Sequence, residues 1–189
     1  IAFVGKQAAH RFDEATRDRY LGIVDAQARR LGSLIDDFLD ARRLEQGKLE
    51  LDRERIELGP LLREQADLFY GQSERHRLEV ALPSVPLAVR GDRDRLAQVI
   101  GNLLSNAIKY SPDGGVVELV GEAGNGMVRV AVRDEGVGIP GDLQSQIFTR
   151  FFRGDAAASG IGGTGLGLAV SREIVEAHGG RIGFTSEER

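Results

Sequence analysis

Apolar residues in the first quarter of the chain recur in steps of three and four. Between Tyr20 and Arg43 there is no proline, the only glycines are Gly22 and Gly32, and Leu21, Val24, Ala28, Leu31, Ile35 and Phe38 fall on one stripe. This spacing predicts the seam of a coiled coil or helix bundle. Arg29, Arg30, Asp36, Asp37, Arg42 and Arg43 occupy the other faces. A single helix cannot bury such a stripe alone, so it needs partners. Residues 1–9 read as the tail of a preceding helix. The polar stretch 10–16 reads as the turn, with Asp13 or Thr16 available as an N-cap. The pair is either a plain helical hairpin or half of a dimeric four-helix bundle.

Residues 47–58 are polar and extended, and they mark the expected boundary between a helical domain, 1–50, and a second domain, 51–189. Beyond it the pattern mixes periods. A helix is predicted over 59–74, short strands over 78–82 and 87–90, and a strong helix over 92–110 behind Asp92 as N-cap. Strands over 116–121 and 127–134 flank Asn125-Gly126, a strong hairpin signal. A last helix is predicted over 165–178, stopped by Gly179-Gly180. Strands and helices that do not strictly alternate point to an α+β fold, a sandwich with helices on one face of a mixed sheet. The stretch Asp155-Ala-Ala-Ala-Ser-Gly-Ile-Gly-Gly163 reads as small and flexible, and a segment of this kind inside a folded domain suggests a lid or binding loop.

Composition narrows the classes. A hydrophobic fraction of 41% with 29% charged residues is that of a folded globular chain. The net charge of −4 gives no support for a nucleic-acid partner. The absence of cysteine excludes disulfides and thiolate metal sites, and it fits a cytoplasmic location. No run of 18 apolar residues exists to span a membrane, so any membrane link is expected to lie in segments upstream of Ile1. Lysine occurs only at Lys6, Lys48 and Lys109, which makes Lys109 conspicuous beside a motif.

On the helix over 92–110, Leu96, Val99, Ile100, Leu103 and Ala107 form an apolar stripe. Asn102, Asn106 and Lys109, spaced four and three, form a polar stripe beside it. An amide oxygen is a hard, neutral ligand suited to Mg²⁺, and an ammonium neutralises phosphate. Tyr110 offers an aromatic wall. The plainer reading is an amphipathic helix whose polar face holds two asparagines, although asparagine is a poor helix former.

Along the next strand Val128, Val130, Val132 and Asp134 point the same way. A carboxylate ending an inward row needs a donor partner such as a nucleobase amine; otherwise Asp134 sits exposed in a turn. Gly136 and Gly138 would let the backbone approach a ligand ring. Further on, Gly163-Thr-Gly-Leu-Gly167-Leu leads straight into a helix, where free N–H groups and the helix dipole suit phosphate. It is neither a Walker loop nor a dinucleotide fingerprint. Phe148, Phe151 and Phe152, at helical spacing, are expected to be core that anchors the lid. Arg153 is a solvated charge or a phosphate contact.

Taken in order, Asn102-Leu-Leu-Ser-Asn106-Ala-Ile-Lys109-Tyr110-Ser, Asp134-Glu-Gly-Val-Gly138-Ile-Pro, Phe148-x-x-Phe151-Phe152-Arg153 and Gly163-Thr-Gly-Leu-Gly167-Leu resemble the asparagine, first glycine, phenylalanine and second glycine boxes of bacterial sensor histidine kinases. Ala177-His178-Gly-Gly-Arg-Ile182 resembles the run that follows in that family. Residues 42–49 resemble the end of the second helix of its dimerisation and phosphotransfer domain. The resemblance covers most of residues 56–186.

It implies ATP and Mg²⁺ as cofactors. Asn106 would hold the metal, Asn102 would bond phosphate or metal-bound water, and Lys109 and Arg153 would bind phosphates. Tyr110 would lie against adenine, and Asp134 would accept from its amine, with Gly136, Gly138 and Ile139 in the same turn. Thr164, Gly165, Leu166, Gly167 and Leu168 would wrap the triphosphate. The implied reaction passes the γ-phosphoryl group to a histidine and then to an aspartate on a response regulator, with Asn102 and Lys109 as catalytic groups and a homodimer formed through the helices.

Gyrase-type and chaperone ATPases of the same fold carry a glutamate where this chain has Asn102. An amide is no general base, so water attack is disfavoured and a kinase is implied over an ATPase. One departure is clear: none of His10, His76 and His178 sits in the family's phosphoacceptor motif, so the acceptor is expected upstream of Ile1.

Overall fold

The computed structural model describes residues 13, 16–25, 28, 32, 50–71, 75–154 and 163–188. The chain divides into two units, Ile1–Leu39 and Asp40–Arg189. In the first, residues 16–25, with 28 and 32, are helical (α1). Asp13 starts this helix as expected, its carboxylate accepting the Thr16 N–H at 2.7 Å. Hydrogen bonds from the Thr16 side chain and backbone hold the Asp13 carboxyl below its ordinary range. Leu21 and Val24 of the predicted seam are exposed, as are Tyr20 and Ile23. Leu31, Ile35, Phe38, the expected preceding helix over 1–9 and the start of the expected boundary at 47–49 lie outside the described residues.

The second unit runs β1 (Glu54–Glu57), α2 (Leu58–Phe69), β2 (His76–Ala81), β3 (Ala88–Gly91), α3 (Arg93–Lys109), β4 (Gly115–Gly124), β5 (Met127–Arg133) and α4 (Gly167–Ala177). One sheet has the order β2-β4-β5 and is mixed, β2 parallel to β4 and β4 antiparallel to β5. Leu78 lies opposite Val117, and Val120 opposite Ala131. A separate antiparallel pair joins β1 to β3, with Ile56 opposite Val89. The fold class is the expected α+β sandwich.

Local chemistry explains most element ends. Asp92 caps α3, accepting from the Asp94 and Arg95 N–H groups at 3.1 Å each. Asn125 and Gly126 both have positive φ, 52° and 72°, as a two-residue hairpin of this twist requires. At the end of α4 the Gly180 N–H bonds the Val175 carbonyl and the Gly179 N–H bonds the Glu176 carbonyl, both at 2.9 Å. That is the paired bonding of a Schellman stop. Helix α2 ends at Phe69, earlier than the predicted residue 74, because Tyr70 turns to an extended conformation with ψ 127° and bonds the Leu78 carbonyl through its hydroxyl at 3.2 Å.

Helix α3 lies at the centre of the packing. Ile100, Leu104 and Ala107 join Leu61, Leu62 and Ala66 of α2 and Leu78, Val117 and Leu119 of the sheet in one core. Val99, helped by Leu103, packs with Leu166, Val170 and Ile174 in a second. Each fully buried leucine contributes about 1.5–3 kcal/mol through removal of apolar surface from water. The predicted stripe on α3 is thus split between two neighbours, and the asparagines between them are held at fixed heights. No helix among the described residues is long and apolar enough to cross a membrane.

Candidate functional site

The polar stripe of α3 faces the turn after β5 at one end and the start of α4 along its side. Asn102 is half-buried, and its Nδ2 donates to the Gly167 carbonyl and to Ser171 Oγ, both at 3.4 Å. One helical turn on, the half-buried Asn106 side chain makes no hydrogen bond among the described residues, so its amide oxygen is available to a ligand. The backbone carbonyl of Asn106 receives the Tyr110 N–H at 2.9 Å.

The Lys109 ammonium lies 4.8 Å from the centre of the Tyr110 ring and 3.5 Å from its hydroxyl. It also lies against Gly163: a Cβ at that position would stand 2.5 Å from Nζ. Gly163 has φ +153°, so both its backbone and its missing side chain serve this approach. Tyr110 is half-buried. Burial pushes its phenol above the ordinary value, and the positive charge of Arg153 acts the other way. Arg153 is thus close enough to act on the Tyr110 phenol by charge.

The turn after β5 is held to this end of α3. The Val137 N–H bonds the Tyr110 carbonyl at 3.1 Å, and a Cβ on Gly136 would fall 2.4 Å from the same oxygen. Asp134 does not end an inward row. The strand stops at Arg133, Asp134 is exposed, and its Oδ1 accepts the Gly136 N–H at 3.0 Å, a local turn bond. Its other oxygen has no hydrogen-bond partner among the described residues. Gly138 makes its close approach to protein: a Cβ there would lie 2.1 Å from the Glu187 carbonyl oxygen. The Ile139 N–H donates to Ser186 Oγ at 2.8 Å, and Gln144 Nε2 donates to the Ile139 carbonyl at 3.0 Å. Gly138 and Ile139 are therefore tied to residues 186–187, apart from the Tyr110 contact that their neighbours make.

The start of α4 presents its backbone. The helix has no side-chain cap, which leaves first-turn N–H groups pointing out of its end. Thr164 Oγ1 accepts the Leu166 N–H at 3.2 Å. The Leu166 side chain is buried in the second core, so only its backbone can face a ligand; Leu168 is half-buried. Gly165 packs against the phenylalanine segment, whose Phe151 N–H bonds the Gly165 carbonyl at 2.9 Å. Residues 155–162, the expected lid, lie outside the described residues.

The phenylalanines do not form a helical core stripe. Phe151 is 64% exposed with φ +64°, because its N–H is drawn to Gly165 and the chain must reverse there. Phe148 packs edge-on to Phe184 at 6.0 Å and lies 5.9 Å from the Arg172 guanidinium. The segment is fixed to α4 by Arg150, whose Nη2 bonds Glu173 Oε1 at 2.7 Å. The other oxygen of Glu173 is buried without a partner.

Of the sequence-predicted residues, Asn102 meets Gly167, and Lys109, Tyr110 and Gly136 meet at the other end of the stripe, with Asn106 between the two groups. Two participants escaped the sequence reading. Gly163 stood only as the start of a motif, and Ser171 is a fully buried serine four residues into α4, a polar residue on an apolar face that was itself a signal. No cluster of three or more His, Cys, Asp or Glu that could cage a metal exists among the described residues. His76 Nε2 bonds the Ser111 carbonyl, and both ring nitrogens of His178 are engaged.

Known proteins resemble this chain in sequence and in fold. Residues 91–189 match the family described as Histidine kinase-, DNA gyrase B-, and HSP90-like ATPase. The chain is 37% identical over 175 residues to the sensor histidine kinase WalK of Bacillus subtilis (strain 168), a match covering 90% of this chain and 28% of WalK. Among solved structures it resembles full-length ShkA in complex with AMPPNP, with a TM-score of 0.74 and 29% identity over 94% of this chain and 37% of that one. It also resembles the histidine kinase ThkA in complex with the response regulator TrrA, with a TM-score of 0.63 and 28% identity over 90% of this chain and 47% of that one. The chain belongs to the histidine kinase-, DNA gyrase B-, and HSP90-like ATPase family, with a catalytic domain of the sensor histidine kinase type.

Proposed function

We propose that this chain is the ATP-binding kinase core of a two-component sensor, which directs the γ-phosphoryl group of Mg²⁺-ATP to a histidine. The observation that carries the reading is the seating of the Lys109 ammonium against Gly163, beside the uncapped start of α4. A cation against the glycine turn that leads into an uncapped helix start is an arrangement that suits a polyphosphate. ShkA, similar over most of this chain, is a complex with AMPPNP.

ATP supplies the phosphoryl group. Asn106 offers an unengaged amide oxygen on the same face, and Mg²⁺ commonly takes one or two protein oxygens together with phosphates, so the lack of a carboxylate cage suits it. Arg153 adds positive charge near Tyr110, and Asp134 keeps one carboxylate oxygen for a nucleobase amine. Backbone N–H groups of the turn from Gly163 to Leu168, other than the Leu166 N–H that Thr164 holds, would wrap the phosphates. Asn102 cannot take a proton from water near neutral pH, which favours transfer to an imidazole over hydrolysis. His76 and His178 are engaged in structural hydrogen bonds, which supports an acceptor elsewhere: on the first bundle helix, as the family resemblance implies.

The remaining parts of the proposal follow from relatives. ThkA is a complex with a response regulator, so a receiver domain is the proposed recipient of the phosphoryl group. The exposed Leu21 and Val24 of α1 fit a homodimer formed through helices, with 1–50 as the dimerisation part, 51–189 as the catalytic part and a cytoplasmic location. The test is calorimetry of ADP and ATP with and without Mg²⁺, followed by phosphotransfer to a separately supplied helical domain bearing the acceptor histidine. Binding that needs Mg²⁺, with transfer and little steady-state hydrolysis, supports the proposal. Rapid histidine-independent hydrolysis overturns it in favour of an ATPase.

A further inference from the structure

The geometry points to Asn102 and Ser171 as positioning residues: together they latch the first turn of α4 to α3, and so set the height of the glycine turn relative to Asn106 and Lys109. This inference rests on the functional reading above and adds to it, because the amide of Asn102 is directed at protein.

Three facts carry it. The Nδ2 of Asn102 donates to two acceptors of α4, the Gly167 carbonyl and Ser171 Oγ, each at 3.4 Å. Ser171 is wholly buried on a face otherwise built from Ala169, Val170 and Ile174, and its oxygen finds its partner in Asn102. The backbone of Gly167 is in near contact with the same amide: a Cβ there would stand 3.5 Å from the Asn102 side-chain carbonyl carbon. A buried hydroxyl on an apolar helix face is costly unless paired. Its pairing with a residue of the polar stripe ties the two elements that must converge on one ligand.

The latch also accounts for the residue type at 102. A donor is needed opposite the Gly167 carbonyl. A carboxylate would set acceptor against acceptor and push the first turn of α4 away from α3. The amide is thus selected by the helix it holds as well as by its lack of basicity.

Ser171→Thr and Ser171→Val test this as a pair, since the two side chains share a shape and differ in the hydroxyl, so any cost of crowding cancels. The threonine variant is expected to bind Mg²⁺-ADP about five- to tenfold more tightly than the valine variant. Backbone amides of Gly167 to Ala169 should exchange faster in the valine variant, while those of β4 keep their protection. In an Asn102→Ala background the difference between the two variants should vanish. Equal affinities and equal exchange in the Thr and Val variants overturn the latch, as does a difference that persists without Asn102. If the parent chain binds no nucleotide, the functional reading fails, and the exchange comparison still decides the latch.

Discussion

His178 Nε2 accepts the backbone N–H of Asp92 at 2.9 Å, so the residue that ends α4 completes the entry to α3. Nδ1 lies 2.7 Å from the Ile174 carbonyl, and therefore carries the ring proton and donates to it. Asp92 in turn accepts from Asp94, Arg95 and, through its other oxygen, the Asp52 N–H at 3.1 Å. His178→Ala leaves the Asp92 N–H without its partner and is expected to cost about 1–3 kcal/mol of stability in urea unfolding. A variant as stable as the parent refutes this role for the ring.

Asn106→Ala should remove the metal-dependent part of ADP binding and leave the fold unchanged, because the side chain bonds nothing else among the described residues. The expected signature in calorimetry is a gain in affinity on adding Mg²⁺ for the parent and none for the variant. An Mg²⁺ response that survives the substitution removes the metal assignment.

Gly163→Ala tests the seat of Lys109. The new methyl would meet the flexible end of Lys109 and displace the ammonium. A φ of +153° strains any residue that carries a Cβ, so the fold is expected to lose about 1–3 kcal/mol as well. Affinity for ADP, measured where the variant is fully folded, is expected to fall about tenfold, or roughly 1.4 kcal/mol. A loss of stability without a loss of affinity would contradict the role given to Gly163.

The Arg150–Glu173 pair is mostly shielded from solvent, with 27% and 21% of the two side chains exposed. Removing the arginine leaves a carboxylate that already has one buried, unpartnered oxygen. Arg150→Ala is expected to cost about 1–3 kcal/mol, discounted for the remaining solvent access, and Arg150→Met with Glu173→Leu should recover most of it. Denaturant unfolding of the three proteins checks this; a double variant as weak as the single one would count against it.

The Tyr110 phenol titrates above its ordinary value because burial disfavours the phenolate, with Arg153 partly opposing. A folded-state value above the unfolded one means that the native state holds the proton more tightly. The associated stability is full below about pH 10 and is lost as pH rises through the folded-state value. Absorbance titration should show a tyrosine ionising above the ordinary range, and Tyr110→Phe should abolish that late step.

Where residues close in sequence decide the outcome, the sequence was readable. Asp92 as a cap, Asn125-Gly126 as a turn and the apolar stripe of α3 depend on neighbours within one helical turn or one hairpin. The β1–β3 pair was not readable, since it is clipped by Glu57, whose Oε1 accepts the Leu87 N–H at 2.8 Å across 30 positions. The same division holds in the site. Spacing put Asn102, Asn106 and Lys109 on one face, yet the direction of the Asn102 amide depends on where α4 packs. For Asp134 the sequence leaves two readings open, and the exposed turn is the one found, because the strand ends at Arg133, one residue short of the inward row. The phenylalanines misled because helical spacing does not reveal a chain reversal at Phe151.

That reversal has a mechanical consequence. The hydrogen bond from the Phe151 N–H to the Gly165 carbonyl clamps the phenylalanine segment to the turn that opens α4. One position away, Arg150 is paired with Glu173 of α4, so the segment is stapled to the start and to the body of the same helix. A tilt of α4 would therefore carry residues 150–151 with it, and a push on those residues would be delivered to the glycine turn as by a lever.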